Sequence, residues 1–398
     1  MKDLKIFTSN IESEALNQID DLLSLEAFEN CKIRIMPDVH AGKGCVIGFT
    51  GNLGEKVIPN IVGVDIGCGM LCVNLGNIEI DLEKLDKVIR KYVPSGMNVH
   101  EEKIREFDLT KLKCFSNLVN VRRLENSLGT LGSGNHFIEV DIDSDNNKYL
   151  IIHSGSRNLG VQVAEYYQGI AIKMCNNNDE YNKEYHEIIS NYKKDGREKE
   201  INKKLKELKN KYKENEKTIP REFAYLEGNY RNDYLNDMKI CQEFASLNRM
   251  TMAKIICKHM GIRFDDYFET IHNYISFDDN IVRKGAISAK KGERVLIPMN
   301  MKDGCIVAIG KGNDDWNQSA PHGAGRLMSR KKAKEMLNLN DYKNSMKDIY
   351  TTSVCEETID EAPAAYKKTD EIIENIKDTV DVEKIIRPIY NYKDSSLV

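Results

Sequence analysis

The strongest constraint on this chain is where its histidines stand. Only eight occur in 398 residues. Five of them sit beside glycine, asparagine or an acid at the ends of short apolar runs: His40, His136, His153, His272 and His322. Asp65 and Cys68 stand three apart in a glycine-flanked turn, Val64-Asp65-Ile66-Gly67-Cys68-Gly69-Met70. Imidazole, thiolate and carboxylate together are the donor mix that holds divalent transition metals. If groups spread from 65 to 272 meet in space, they cannot belong to two independent domains. The chain is therefore expected to form one catalytic domain over 1–398.

The bulk numbers agree with a globular chain. Hydrophobic residues make up 41% and charged residues 30%, and the length supports a substantial core. No stretch approaches the roughly 20 apolar residues of a membrane span. The beginning, Met1-Lys2-Asp3-Leu4-Lys5-Ile6, lacks the apolar region of a secretory signal, so a cytoplasmic protein with no membrane partner is expected. The ten cysteines are scattered from 31 to 355 with no paired CxxC spacing, which argues against structural zinc and for reduced, buried thiols. A net charge of -4 is a mild argument against nucleic acid, though contact depends on local basic patches. Such patches are Arg283-Lys284, Lys290-Lys291, and Arg326 with Arg330-Lys331-Lys332.

Short apolar runs punctuated by glycine predict strands at 45–49, 61–64, 70–73, 149–152, 295–298 and 305–310. Helices are predicted over 80–93, 100–112, 237–259 and 327–337. Residues 176–236 change character: Lys, Glu, Asn and Tyr dominate. Ile201, Leu205, Leu208 and Tyr212 form one apolar stripe on a charged helix. This region reads as a helical insertion with a solvated charged face. The tail carries few signals.

Taken singly, most of the candidate groups have ordinary readings. Cys68 alone reads as a buried cysteine beside a capping aspartate. His322, in Pro321-His322-Gly323-Ala324-Gly325-Arg326, reads equally as a histidine in a surface turn. Alternatively, its glycines open an approach for a phosphorus centre, exposed N–H groups cradle phosphate and Arg326 neutralises it. Imidazole can then attack phosphorus and carry a nucleotide as a phosphoramidate. Glu139, three residues after His136, is either a solvent-facing charge or an acceptor for the N–H groups of guanine. Asp38 and His40 follow Pro37 and suit a supporting role.

Together, these segments resemble the RtcB family of RNA ligases. The matching stretches are MPDVHAGKG (36–44), VDIGCGM (64–70), GSGNHFIEV (132–140), HSGSRNLG (153–160), HNY (272–274), RKGA (283–286), PHGAGRLMSR (321–330) and DEAPAAYK (360–367). The resemblance implies an α/β fold of the RtcB type, with central β-sheets around a deep metal and nucleotide cleft and the helical insertion at about 176–236. It implies ligation of RNA 3′-phosphate or 2′,3′-cyclic phosphate ends to 5′-hydroxyl ends. Two Mn²⁺ ions would be held by Asp65, Cys68, His136, His153 and His272, and GMP from GTP would be carried on His322. Nucleotide contacts would fall on Asn135, His136, Phe137, Ile138, Glu139, His272, Asn273, Pro298, Met299, Asn300, Met301, Cys305, His322, Gly323, Ala324, Gly325 and Lys393. Two positions depart from the family pattern: Met299-Asn300 replaces a Gly-Ser pair, and Cys305 replaces a hydroxyl residue. Arg157, Arg283, Lys284 and Arg326 are candidates to hold phosphates. The alternative reading is a metal-dependent phosphoesterase of RNA ends, which needs the same ligands but neither GTP nor His322.

Overall fold

A computed structural model describes residues 3–176, 179–194, 197, 200–213 and 219–394. Two β-sheets dominate it. The larger follows the order Arg294–Asn300, Gly304–Gly310, Val380–Tyr392, Phe137–Ile142, Lys148–Ser154, Gly69–Gly76, Tyr267–Ile271. Neighbours along this path are antiparallel, and a short strand, Tyr350–Thr351, adds to Val380–Tyr392. The first and last strands approach each other. Arg294 Nη2 donates to Tyr267 O at 2.9 Å and Thr270 Oγ1 to Leu296 O at 3.5 Å. The sheet thus curls into a nearly closed barrel, as twisted sheets of this size do.

Alternation along the strands decides what lies inside. Met70, Cys72, Tyr149, Ile151, Leu296, Cys305, Val307 and Ile386 pack together within the barrel. Their neighbours Leu71, Val73, Ile138, Val140, Leu150 and Ile152 face outward onto Met252, Ala253 and Ile256 of the long helix Gly228–Met260 and Leu85 and Ile89 of Leu82–Tyr92. Both faces are covered, so Gly69–Gly76 and Lys148–Ser154 read as near-continuous apolar runs, while Phe137–Ile142 alternates, with Glu139 and Asp141 on its inner face. The second sheet, ordered Asp3–Ile6, Lys32–His40, Ile47–Asn52, Ile281–Lys284, Asn273–Ser276, packs its own core against Arg157–Asn176 and Gly228–Met260.

Several expected elements changed. Ile61-Val62 ends a helical turn, Pro59–Val62, because Pro59 pre-sets the first helical φ. Residues 100–112 form no α-helix. The side chain of Asp108 accepts from Thr110 N at 3.1 Å and closes a tight turn, leaving only Leu109–Lys111 helical. The insertion is a pair of helices, Asp179–Lys194 and Ile201–Lys213. Leu208 is buried on its stripe; the Tyr212 side chain lies outside the described residues. Within the expected 176–236 stretch, Ala224, Leu226 and Tyr234 are fully buried in the core. The tail, which carried few sequence signals, supplies the 13-residue strand Val380–Tyr392 near the middle of the large sheet. Pro388 sits at a register shift there, the kind of irregularity at which a strand tolerates proline.

Candidate active site

One rim of the barrel gathers four strand ends. Cys68 immediately precedes strand Gly69–Gly76, and His136 precedes Phe137–Ile142. His153 lies opposite both Met70 and Phe137 in the ladders. His272 follows Tyr267–Ile271, and its N–H donates to Cys68 O at 2.9 Å. The loop carrying Asp65 presses onto the helix Gly228–Met260. Gly67, at φ 73°, would bring a Cβ to 2.9 Å from the Gln242 Cα, so only glycine fits. Asp65 in turn leaves no room at Gly155, where a Cβ would meet Oδ1 at 2.0 Å.

The five expected ligands converge. Cys68 Sγ lies 3.5 Å from His136 Nε2 and 3.3 Å from His153 Nε2. His136 Nε2 is 3.0 Å from Asp65 Oδ2, and His153 Nε2 is 3.3 Å from His272 Nε2. The other ring nitrogens are committed outward: His136 Nδ1 to Leu131 O at 2.9 Å and His153 Nδ1 to Asn135 O at 3.1 Å. Carbonyls accept only, so both Nδ1 atoms carry a proton, and the Nε2 atoms face the centre. Burial pushes His153 and His272 well below the ordinary histidine range and the Cys68 thiol up. Imidazole nitrogens, a carboxylate and a thiol turned on one point are the arrangement a transition metal completes. The donor set therefore fits a metal ion.

His322 stands next to this cluster, its ring centroid 4.9 Å from that of His272. It follows strand Ser319–Pro321. The fully buried Asp38 accepts from His322 Nδ1 at 2.6 Å and from its backbone N–H at 3.0 Å. That holds a proton on Nδ1 and leaves Nε2 turned away from Asp38 on a ring 20% exposed. His40 closes the rim beside it, and burial pushes its ring down to about 4.

Both groups open into a cavity of about 610 Å³. Of the expected nucleotide contacts, Asn135, Phe137, Glu139, His272, Pro298, Met299, Asn300, Met301, His322, Gly323, Ala324, Gly325 and Lys393 line it. His136 is turned into the ligand cluster. Ile138 does not reach the cavity, since alternation sends it to the outer core. Asn273 is used by the backbone, its side chain accepting from Gly285 N at 3.1 Å. Cys305 is buried behind Glu139, 3.7 Å from Oε1. Glu139 itself is 2% exposed and accepts from Asn391 Nδ2 at 2.7 Å, so the solvent-facing reading of it is excluded.

The expected phosphate-holding cations fare differently. Arg283 is fully buried and bound to Asp279 Oδ2 (2.9 Å) and Ser319 Oγ (2.9 Å). Lys284 donates to Lys43 O and Asn60 O. Both are internal cross-links, because a buried cation must be paired. Arg157 braces Thr130 Oγ1 and Gly96 O away from the cavity. Arg326 does line the cavity, with Arg330 and Lys331.

Sequence reasoning missed Glu361 as a functional residue, although the 360–367 stretch was noticed. Glu361 accepts from Lys393 Nζ at 2.9 Å and Tyr366 OH at 2.8 Å, and pairs with Arg326 and Arg330. Burial opposes its charge, but these three cations hold it below the usual carboxylate range. Asn248 and Arg249 were also missed. Arg249 Nη1 donates to Gly67 O (2.8 Å) and Ser154 O (2.7 Å), tying the Cys68 loop to the His153 strand. Asn248 Nδ2 donates to Ser154 Oγ and Gly155 O. Only two polar residues on a helix face marked them in the sequence.

A barrel rim that joins a candidate metal-ligand cluster to an oriented histidine and a nucleotide-sized cavity has the layout of an enzyme cleft. The chain belongs to the RtcB family: the family model described as tRNA-splicing ligase RtcB matches residues 18–120 and 115–394. It is 30% identical over 436 aligned residues to the RNA-splicing ligase RtcB of Escherichia coli K12, covering 97% of this chain and 96% of that protein. The tRNA-splicing ligase RtcB of Nanoarchaeum equitans is 24% identical, covering 89% and 86%. That of Archaeoglobus fulgidus is 26% identical, covering 92% and 87%.

Proposed function

We propose that this chain is a GTP- and Mn²⁺-dependent RNA ligase that joins 3′-phosphate or 2′,3′-cyclic phosphate ends to 5′-hydroxyl ends through a His322–GMP intermediate. The observation that carries the reading is the Asp38–His322 pair. Asp38 holds the Nδ1 proton, which leaves Nε2 as the nucleophile on a ring that lines the cavity. Attack on the α-phosphorus of GTP forms an N–P bond, and the P–O bond to pyrophosphate breaks. The ring becomes cationic while Nδ1 keeps its proton, and the Asp38 carboxylate stabilises that charge. The RNA 3′-phosphate next displaces His322 from GMP, and the 5′-hydroxyl then expels GMP as the phosphodiester forms.

Asp65, Cys68, His136, His153 and His272 would hold two Mn²⁺ ions, which when bound neutralise charge on phosphate oxygens and favour in-line displacement. Glu139 would accept from guanine N1–H and N2–H₂, with Lys393 beside it. Lys331, with Arg326 and Arg330 that also pair with Glu361, lines the cavity where phosphates would lie. A tRNA or other cleaved RNA is the proposed substrate, in keeping with the names of the relatives. The test is joining of a 3′-phosphate RNA to a 5′-hydroxyl RNA with and without GTP. Joined product only with GTP and Mn²⁺ supports the reading. Phosphate removal without joining and without GTP would replace it with the phosphoesterase.

A further inference from the structure

The cavity wall hides a carboxylate that the chemistry above does not use. Asp141 follows Glu139 by two residues on strand Phe137–Ile142, so both side chains leave the same face, into the barrel. Glu139 lines the cavity, while Asp141 behind it has no exposed surface. Ligand atoms of Glu139, Asp141 and Cys305 lie within 4.8 Å of one another. Glu139 has partners in Asn391 and the Cys305 thiol. Among the described residues, no N–H or hydroxyl group donates to either oxygen of Asp141, and only the weak Cys305 thiol is near it.

The elements packed around the pair bring little charge. Strand Val380–Tyr392 supplies Asn391, and Lys393 after it is already held by Glu361 and Asn135 O. Gly304–Gly310 and Gly69–Gly76 contribute the thiols of Cys305 and Cys72, and Lys148–Ser154 sets Tyr149 and Ile151 opposite the two acids. Two ionised carboxylates this close in a dry interior repel, and an unpaired buried one is strongly disfavoured. As carboxylates neither can donate to the other. A single proton removes both penalties. Burial, and then the charge of Glu139, push the Asp141 carboxyl well above its usual range.

We propose that Asp141 is protonated at neutral pH and donates an O–H···O hydrogen bond to Glu139, making it the positioning residue for guanine. The inference rests on the reading of Glu139 as the guanine acceptor. Guanine offers two donors along one edge, N1–H and N2–H₂. An ionised Glu139, held by Asn391 on one oxygen and by Asp141 and the Cys305 thiol on the other, keeps one lone pair, on the Asn391-bound oxygen, for N1–H and N2–H₂ to share, since each carboxylate oxygen has two. Without that anchor Glu139 is free to rotate or to take up the proton itself. A protonated Glu139 becomes a donor, which suits adenine N1 and not guanine.

Infrared spectroscopy of the whole protein and nucleotide titrations test this together. At pH 7 the wild type should show the C=O band of a neutral buried carboxylic acid, and Asp141→Asn should lack it. Asp141→Asn keeps a donor toward Glu139, so its GTP affinity should stay within about threefold of wild type, whereas Asp141→Ala should weaken GTP by about tenfold, the weight of a hydrogen bond to a charged group, and leave ATP binding unchanged. Inosine triphosphate, which lacks the N2 amino group, should lose less than GTP. A wild type without the band, or an Asp141→Ala variant that binds GTP as tightly as wild type, overturns the proposal. So does a stoichiometric metal ion lost from Asp141→Asn, because the trio would then hold a cation. If wild type shows no preference for GTP over ATP, the guanine reading fails, while the infrared band still decides where the proton is.

Discussion

Asp38 makes a sharp test of how the site prepares its nucleophile. Its Oδ2 accepts two hydrogen bonds from one residue, His322 Nδ1–H at 2.6 Å and the His322 backbone N–H at 3.0 Å. The side chain has no exposed surface, so water cannot substitute for it. Asp38→Ala removes both bonds and the charge. The ring is then free to turn or to place its proton on Nε2, the atom that must attack. A hydrogen bond to a charged group contributes about 1.5–3 kcal/mol, and the ring gains full positive charge during attack, so a loss of roughly 10- to 100-fold in the rate of His322–GMP formation is expected. Asp38→Asn can still accept both bonds through its amide oxygen. It keeps the orientation, loses the charge, and should fall between wild type and alanine. The assay is single-turnover labelling with α-labelled GTP and Mn²⁺, with bound metal measured in parallel. Wild-type labelling rates in Asp38→Ala at equal metal content would refute the reasoning.

Three further outcomes follow from the same geometry. Cys68→Ala removes a soft donor that faces both His136 and His153 at 3.5 and 3.3 Å; bound manganese, read by elemental analysis, should fall and labelling should vanish, and unchanged metal content would remove Cys68 from the site. Glu139→Ala should shrink the preference for GTP over ATP by roughly 10- to 100-fold, measured as a ratio of binding constants, with metal content intact; an unchanged ratio would mean guanine is read elsewhere. His40 has a ring pushed down to about 4 by burial, from 6.5. The unfolded chain therefore binds one more proton between these values, and folding stability should drop as pH falls from 6.5 to 4. The upper bound is about 3 kcal/mol for a half-buried ring, and His40→Gln should flatten that part of the stability–pH curve in chemical denaturation; an identical curve would contradict it.

The site was far more legible in the sequence than the fold. Histidine beside glycine or asparagine at a strand end is a local signature, and Asp65, Cys68, His136, His153 and His272 do come together across 208 positions of chain. What failed needed knowledge of partners distant in sequence. Arg283 and Lys284 looked like a basic patch, and only the fold reveals Ser319 and the carbonyls of Lys43 and Asn60 that take up their donors. Ile138 shares a motif with Glu139, but strand alternation separates their faces. The strand Val380–Tyr392 escaped notice because Pro388 and its charged residues mask a pattern that only pairing on both sides reveals. Asn248 and Arg249 act on backbone carbonyls, contacts that leave no periodic mark.

The central claim is that His322 carries the nucleotide. Wild type and His322→Ala are each incubated with α-labelled GTP and Mn²⁺, denatured and run on a gel, with half of each sample acid-treated first. The account predicts a labelled protein band in wild type that acid removes, as it removes a phosphoramidate, and no band in His322→Ala. Full labelling of His322→Ala would contradict it.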